Sequence, residues 1–233
     1  MIKQIARRSK QIAATSQPKS GMRVIVLAST KGGVGKSTLS ATLAVRAARD
    51  GGRVALIDCD PQQSLSSWWD RRQQPDNPKL FEGVDAAQEA IELIASEGWD
   101  WIIIDTPPAM LDKIEPAILS ADLVLIPVRA SALDVEAVRL VEELCLQHNR
   151  PYAFVLNQVM PGWAINASAV AYLSTNRRTI LQPHVQLRQS HAAAMTVGKS
   201  AAEVDKTKAV RDEIDGLWES VKAHVARVAR SVQ

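Results

Sequence analysis

Met22-Arg23-Val24-Ile25-Val26-Leu27-Ala28-Ser29-Thr30-Lys31-Gly32-Gly33-Val34-Gly35-Lys36-Ser37-Thr38 runs from an apolar stretch into a glycine-rich turn that carries two lysines. The first seven residues read as a buried strand. The turn reads as a phosphate cradle, because glycine lets backbone N–H groups point inward and approach an anion closely. The residues that follow, 37–50, have the pattern of a helix, whose N-terminal dipole adds to the attraction. In this setting Lys36 is expected to reach the outer phosphates, Ser37 to ligate Mg²⁺ through its hydroxyl and Thr38 to touch the innermost phosphate. The strict spacing G-x4-G-K-[ST] is not met, since position 30 is Thr30. A second lysine, Lys31, stands at the start of the loop instead.

Outward from this point the chain alternates. Apolar runs recur at 53–58, 101–105, 123–128 and 152–157, separated by helical patterns at 84–97, 112–120 and 133–148. Near-continuous apolar strands between helices predict a doubly wound, mostly parallel α/β sheet with helices on both faces. Such sheets bind ligands at the carboxyl ends of their strands. Asp58, Asp105 and Asn157 close three of the five runs. The polar groups therefore collect where this architecture puts chemistry.

The octapeptide Lys31-Gly32-Gly33-Val34-Gly35-Lys36-Ser37-Thr38 resembles the deviant Walker A motif of the ParA/MinD ATPases. Leu56-Ile57-Asp58-Cys59-Asp60-Pro61-Gln62-Gln63-Ser64 is similar to that family's switch-I-like segment. Ile102-Ile103-Ile104-Asp105-Thr106-Pro107-Pro108 is similar to its Walker B strand, and Pro127–Asp134 to the stretch after its next strand. The resemblance spans roughly residues 22–205 and is strongest for small ParA-type DNA-partitioning proteins. It implies a P-loop fold, ATP and Mg²⁺ as cofactors, and slow, partner-stimulated hydrolysis. Lys31 would cross a dimer interface to the partner's nucleotide, and Asp60 would orient the attacking water. Asp58 and Asp105 would hold Mg²⁺ through its water shell. Asn157 would recognise adenine, or serve as a turn or cap asparagine. The implied partners are a second copy with ATP, non-specific DNA, and a ParB-like centromere-binding protein or cargo adaptor. The implied location is cytoplasmic and nucleoid-associated.

Composition narrows the alternatives. The 233 residues suffice for one large α/β domain, expected over 22–233, with 1–21 a basic N-terminal extension. No run approaches 18 consecutive apolar residues, so no spanning helix is expected. Two cysteines, Cys59 and Cys145, lack cluster- or metal-ligand spacing, which argues against an iron–sulfur relative. The net charge of +3 hides an asymmetry. Residues 1–49 hold ten Lys/Arg and no acid, leaving 18 basic against 25 acidic groups beyond them. From residue 176 onward ten Lys/Arg face six acids. A basic surface with few aromatics suits backbone contact rather than base reading. Arg188 and Lys199 are the expected DNA contacts. The apolar residues 217, 218, 221, 225 and 228 fit a helix packed on the sheet better than a membrane-surface helix, so membrane binding is not expected. Related alternatives are a positioning factor for a protein cargo, a MinD-like membrane-associated ATPase and a plasmid-transfer accessory ATPase.

Overall fold

The computed structural model describes residues 21–81, 88–131, 134, 137–175 and 178–231. The expected basic extension therefore falls outside the described residues except for Gly21, as do parts of the helices expected over 84–97 and 133–148.

Six parallel strands form one sheet in the order β3-β2-β4-β1-β5-β6. They are β1 (Arg23–Leu27), β2 (Val54–Asp58), β3 (Lys79–Leu80), β4 (Trp101–Asp105), β5 (Leu123–Val128) and β6 (Tyr152–Leu156). The described helices are α1 (Lys36–Arg49), α2 (Ser64–Arg71), α3 (Gln88–Ala95), α4 (Leu111–Ser120), α5 (Arg139–Gln147), α6 (Ala164–Leu173), α7 (Gln189–Thr196), α8 (Ala201–Val204) and α9 (Lys208–Ser231). The expected doubly wound fold is observed. The strand missing from the sequence reading is β3. It has two residues and no apolar run, and it lies at the sheet edge where one neighbour suffices.

Alternate strand residues feed two cores. Val24, Val26, Ile102, Ile104, Val124 and Ile126 pack beneath α3, α4, α5 and α6. Ile25, Leu27, Ile103, Leu123 and Leu125 pack against α1, α2 and α9, with Trp68 and Trp218 fully buried among them. This two-sided burial explains the unbroken apolar runs. Leu217, Trp218, Val221 and Val225 of α9 lie in that second core, as their helical spacing predicted, whereas Val228 is only half-buried and outside it. Among the described residues, no helix is long and apolar enough to cross a membrane.

The register sets the site. Leu27 and Asp58 both pair with Asp105, so the ends of β1, β2 and β4 are level. The loop after β1 thus opens beside the carboxylates that close β2 and β4.

Candidate functional site

The glycine loop turns where glycine is needed. Gly33 and Gly35 have φ of +73° and +89°, in the left-handed region that side chains resist. At Gly35 an added Cβ would lie 2.5 Å from Nδ2 of Asn157. That nitrogen donates to the Val34 carbonyl at 2.7 Å, and Nε2 of Gln158 donates to the Gly33 carbonyl at 3.0 Å. The end of β6 therefore braces the loop from behind. With its carbonyls held outward, the loop can turn its amides inward.

Lys36 is the first residue of α1 and is buried, with Nζ donating to the Lys31 carbonyl at 3.4 Å. Burial lowers its pKa, while Asp105 and Asp60 pull in the opposite direction. Asp105 is fully buried, and burial pushes its carboxyl up to about 7. Ser37 opposes that rise by hydrogen bonding, whereas Asp58 adds to it by repulsion. Ser40, also buried, donates to Oδ1 of Asp105 at 3.4 Å. Oδ2 of Asp105 is buried with no hydrogen-bond partner among the described residues. An unpaired oxygen of this kind is costly unless something positive meets it. Placed beside Ser37 and a phosphate cradle, it is the donor a hydrated Mg²⁺ requires.

Asp58 is engaged by its own chain. Oδ1 accepts the Asp60 N–H at 3.1 Å, and Oδ2 accepts the backbone N–H and hydroxyl of Ser66 at 2.8 and 2.9 Å. It fixes the 58–66 segment and caps the first turn of α2. Oδ1 of Asp60 accepts the Gln62 N–H at 2.9 Å, and Gln63 takes φ of +52° to enter the helix. Asp60 is thus held at the mouth of the site, within electrostatic reach of Lys36 and Asp105.

Lys31 lies at the rim. Its Nζ is 3.8 Å from Oδ1 of Asp134, which is also bound by the Arg129 guanidinium. The lysine side chain is 41% exposed and the aspartate 2%. Thr30, standing where the strict motif has glycine, donates its hydroxyl to the Ala137 carbonyl at 2.9 Å. That bond ties the loop to the 129–137 segment.

This chain belongs to the CobQ/CobB/MinD/ParA nucleotide-binding family. Its sequence matches the domain of that description over residues 25–215. It is 31% identical over 187 residues to Protein ParA of Rhizobium radiobacter, covering 76% of this chain and 84% of that one. It is 26% identical over 207 residues to the maintenance of carboxysome distribution protein A of Halothiobacillus neapolitanus, covering 84% and 95%. Its fold is that of the MinD cell division protein of Aquifex aeolicus, with a TM-score of 0.72 at 20% identity, covering 86% and 97%. Apo McdA of Cyanthece gives 0.68 at 21%, covering 86% and 99%. The ParA/MinD proteins of this family are ATPases.

The structure brings Lys36, Ser37, Asp58, Asp60 and Asp105 within electrostatic reach of one another. It gives Asn157 a bracing contact that the sequence reading did not contain, with its amide nitrogen bound to the loop rather than open to a base. Among the expected DNA contacts, Arg188 is turned inward. It is 19% exposed and bound to Glu213 at 2.6 Å and to Gln186 at 2.7 Å. Lys199 is exposed. The sequence reading also missed Asp134, Gln158 and Ser66 as contributors. Asp134 had a signal, since Arg129 precedes it within the stretch that resembles the family.

Proposed function

We propose that two copies of this chain close face to face on ATP, bind duplex DNA without regard to sequence, and let go on hydrolysis, so partitioning plasmid or chromosomal DNA with a ParB-like partner. The observation that carries this is Lys31. Its ammonium stands on the rim of the site against Asp134, outside the loop that Lys36 fills. A second cation inside the same cradle would meet like-charge repulsion. Facing another subunit's phosphates, it becomes stabilising, and a two-fold axis satisfies both sites with one residue type.

The geometry supports a division of labour. Residues 32–38 bind the phosphates through amides, Lys36 and hydroxyls. Ser37 and Asp105 would hold Mg²⁺, with Asp58 behind them; the ion supplies neutralisation of phosphate charge when bound. Asp60 orients water. Little covalent work falls to the protein in phosphoryl transfer, so positioning and charge account for the rate. Asn157 serves the nucleotide indirectly, by holding the Val34 carbonyl of the loop. On the outer surface Lys199, Lys206, Lys208 and Arg211 are exposed at one corner of the fold, and they supply the DNA contacts.

The kinship with carboxysome distribution proteins supports a second reading, in which the same cycle positions a protein cargo. Light scattering with ADP, ATP and ATP on the Asp60→Ala background tests the switch. DNA binding titrated against salt under the same conditions tests the output. A dimer stabilised only by ATP, binding DNA with a steep salt dependence, is expected. ATP-independent size, or DNA binding indifferent to salt, would defeat the proposal.

A further inference from the structure

Helix α2 is fastened at both ends, and its two fastenings belong to different parts of the molecule. At its start Ser66 is bound to Asp58 through both N–H and hydroxyl, within the segment that carries Asp60. At its finish the chain is bound to the corner between α7 and α8. The indole of Trp68, fully buried, donates to the Lys199 carbonyl at 3.0 Å. Arg72 donates to the Gly198 carbonyl at 2.9 Å and forms a two-pronged pair with Glu203 at 2.9 and 3.0 Å. Glu203 is itself held by the Ser200 N–H at 2.7 Å and by Arg49 of α1 at 3.2 Å. Gly198, at φ of +66°, lets the two backbones touch; a Cβ there would lie 2.2 Å from the Arg72 nitrogen.

We propose that Arg72, gripped by Glu203 and Gly198, is a positioning residue for hydrolysis: it sets the axial placement of α2 and thereby of Asp60. A two-turn helix pinned at both ends transmits displacement rather than absorbing it. A planar guanidinium paired with a carboxylate fixes direction as well as distance. The same corner carries exposed Lys199, whose carbonyl is the Trp68 acceptor. This inference rests on the reading of Asp60 as the water-orienting residue, and it adds the place from which that residue is controlled.

The test measures phosphate release at saturating ATP and Mg²⁺, alongside the affinity for a fluorescent ATP analogue. Glu203→Gln and Arg72→Lys keep size and leave residues 31–38 untouched. Each is expected to lower kcat roughly tenfold, as misplacements of an ångström or less do, with nucleotide affinity unchanged. The two losses should be of similar size, because each variant breaks the two-pronged pair. Ser66→Ala combined with Glu203→Gln should be non-additive in kcat, because both act through one helix. Unchanged kcat in the single variants, additivity in the pair, or a parallel loss of nucleotide affinity and thermal stability would each overturn the proposal. Asp60→Ala serves as the reference. If it turns over at the wild-type rate, the reading of Asp60 fails and takes this inference with it. If it is inactive while the Arg72 and Glu203 variants are normal, only the inference fails.

Discussion

Lys31 Nζ lies 3.8 Å from Oδ1 of Asp134, and the two differ sharply in exposure. The aspartate is buried and retains Arg129 as a second partner. The lysine is solvated, so its side of the pair is worth about 1 kcal/mol or less. Lys31 can therefore leave Asp134 for a phosphate at little cost, and Asp134 is not stranded when it does.

Asp134→Asn should release Lys31 without removing it. ATP-dependent dimerisation should then occur at up to about thirtyfold lower protein concentration, because each dimer releases two such pairs at ~1 kcal/mol apiece. Lys31→Ala should bind nucleotide, stay monomeric and hydrolyse poorly. Light scattering across a concentration series reads both. A Lys31→Ala protein that dimerises and turns over normally would contradict the role given to the rim lysine.

Gly35 and Asn157 test the brace. Gly35→Ala forces a side chain into a left-handed turn and against Asn157, so nucleotide binding should be lost. Asn157→Ala removes the donor to the Val34 carbonyl, a loss of about 1–3 kcal/mol if the carbonyl stays buried. The loop should then weaken for every ligand it holds, including inorganic tripolyphosphate. A variant that binds tripolyphosphate normally but no longer prefers ATP over GTP would instead assign Asn157 to the base. Competition against a fluorescent nucleotide separates the two.

These residues also show what a linear reading can reach. Strands β1, β2, β4, β5 and β6 were legible because each is buried on both faces and must be apolar throughout. β3 was not, since Lys79-Leu80 needs only one hydrogen-bonded neighbour and leaves no pattern. The glycine loop was legible because its turn residues are contiguous in sequence. The brace from Asn157 was not, because it depends on β6 ending behind the loop, which only the sheet order brings about. Arg188 shows the limit for charge. A guanidinium reads as a surface cation until its partner is known, and here the partner is Glu213, on another element.

That pairing changes the forecast for DNA. Arg188→Ala leaves Glu213 buried without its cation, so the main effect should be lost stability, on the order of 3 kcal/mol or more. Lys199→Ala should leave thermal stability unchanged and weaken duplex binding across all sequences, lowering the slope of log affinity against log salt by about one. Melting curves and salt-titrated binding distinguish the two variants. If Arg188→Ala is as stable as wild type and loses DNA binding selectively, the inward reading of Arg188 is wrong.

The last forecast concerns protons at Asp105. Its carboxyl is pushed up to about 7 by burial first and by Asp58 and Asp60 in addition, against the pull of Ser37 and Lys36. The unfolded chain releases the same proton near 3.9. Between those values the folded protein holds a proton that the unfolded chain has lost. The contribution of Asp105 to stability is therefore fully present below about pH 4 and lost as pH rises toward 7. Asp105→Asn, which keeps the shape of the neutral carboxyl, should be the more stable protein at pH 8 when nucleotide and Mg²⁺ are omitted, and should show a flatter dependence of melting temperature on pH. Holding Mg²⁺ requires the carboxylate, so loading with ADP and Mg²⁺ at pH 6 should expel a proton from Asp105. Calorimetry in two buffers of different ionisation enthalpy measures that release directly. Wild type should release more protons than Asp105→Asn at pH 6, and the difference should vanish by pH 8.5. Equal release from both proteins at pH 6 would show that Asp105 is already ionised, and that its buried oxygen is balanced by Lys36 instead.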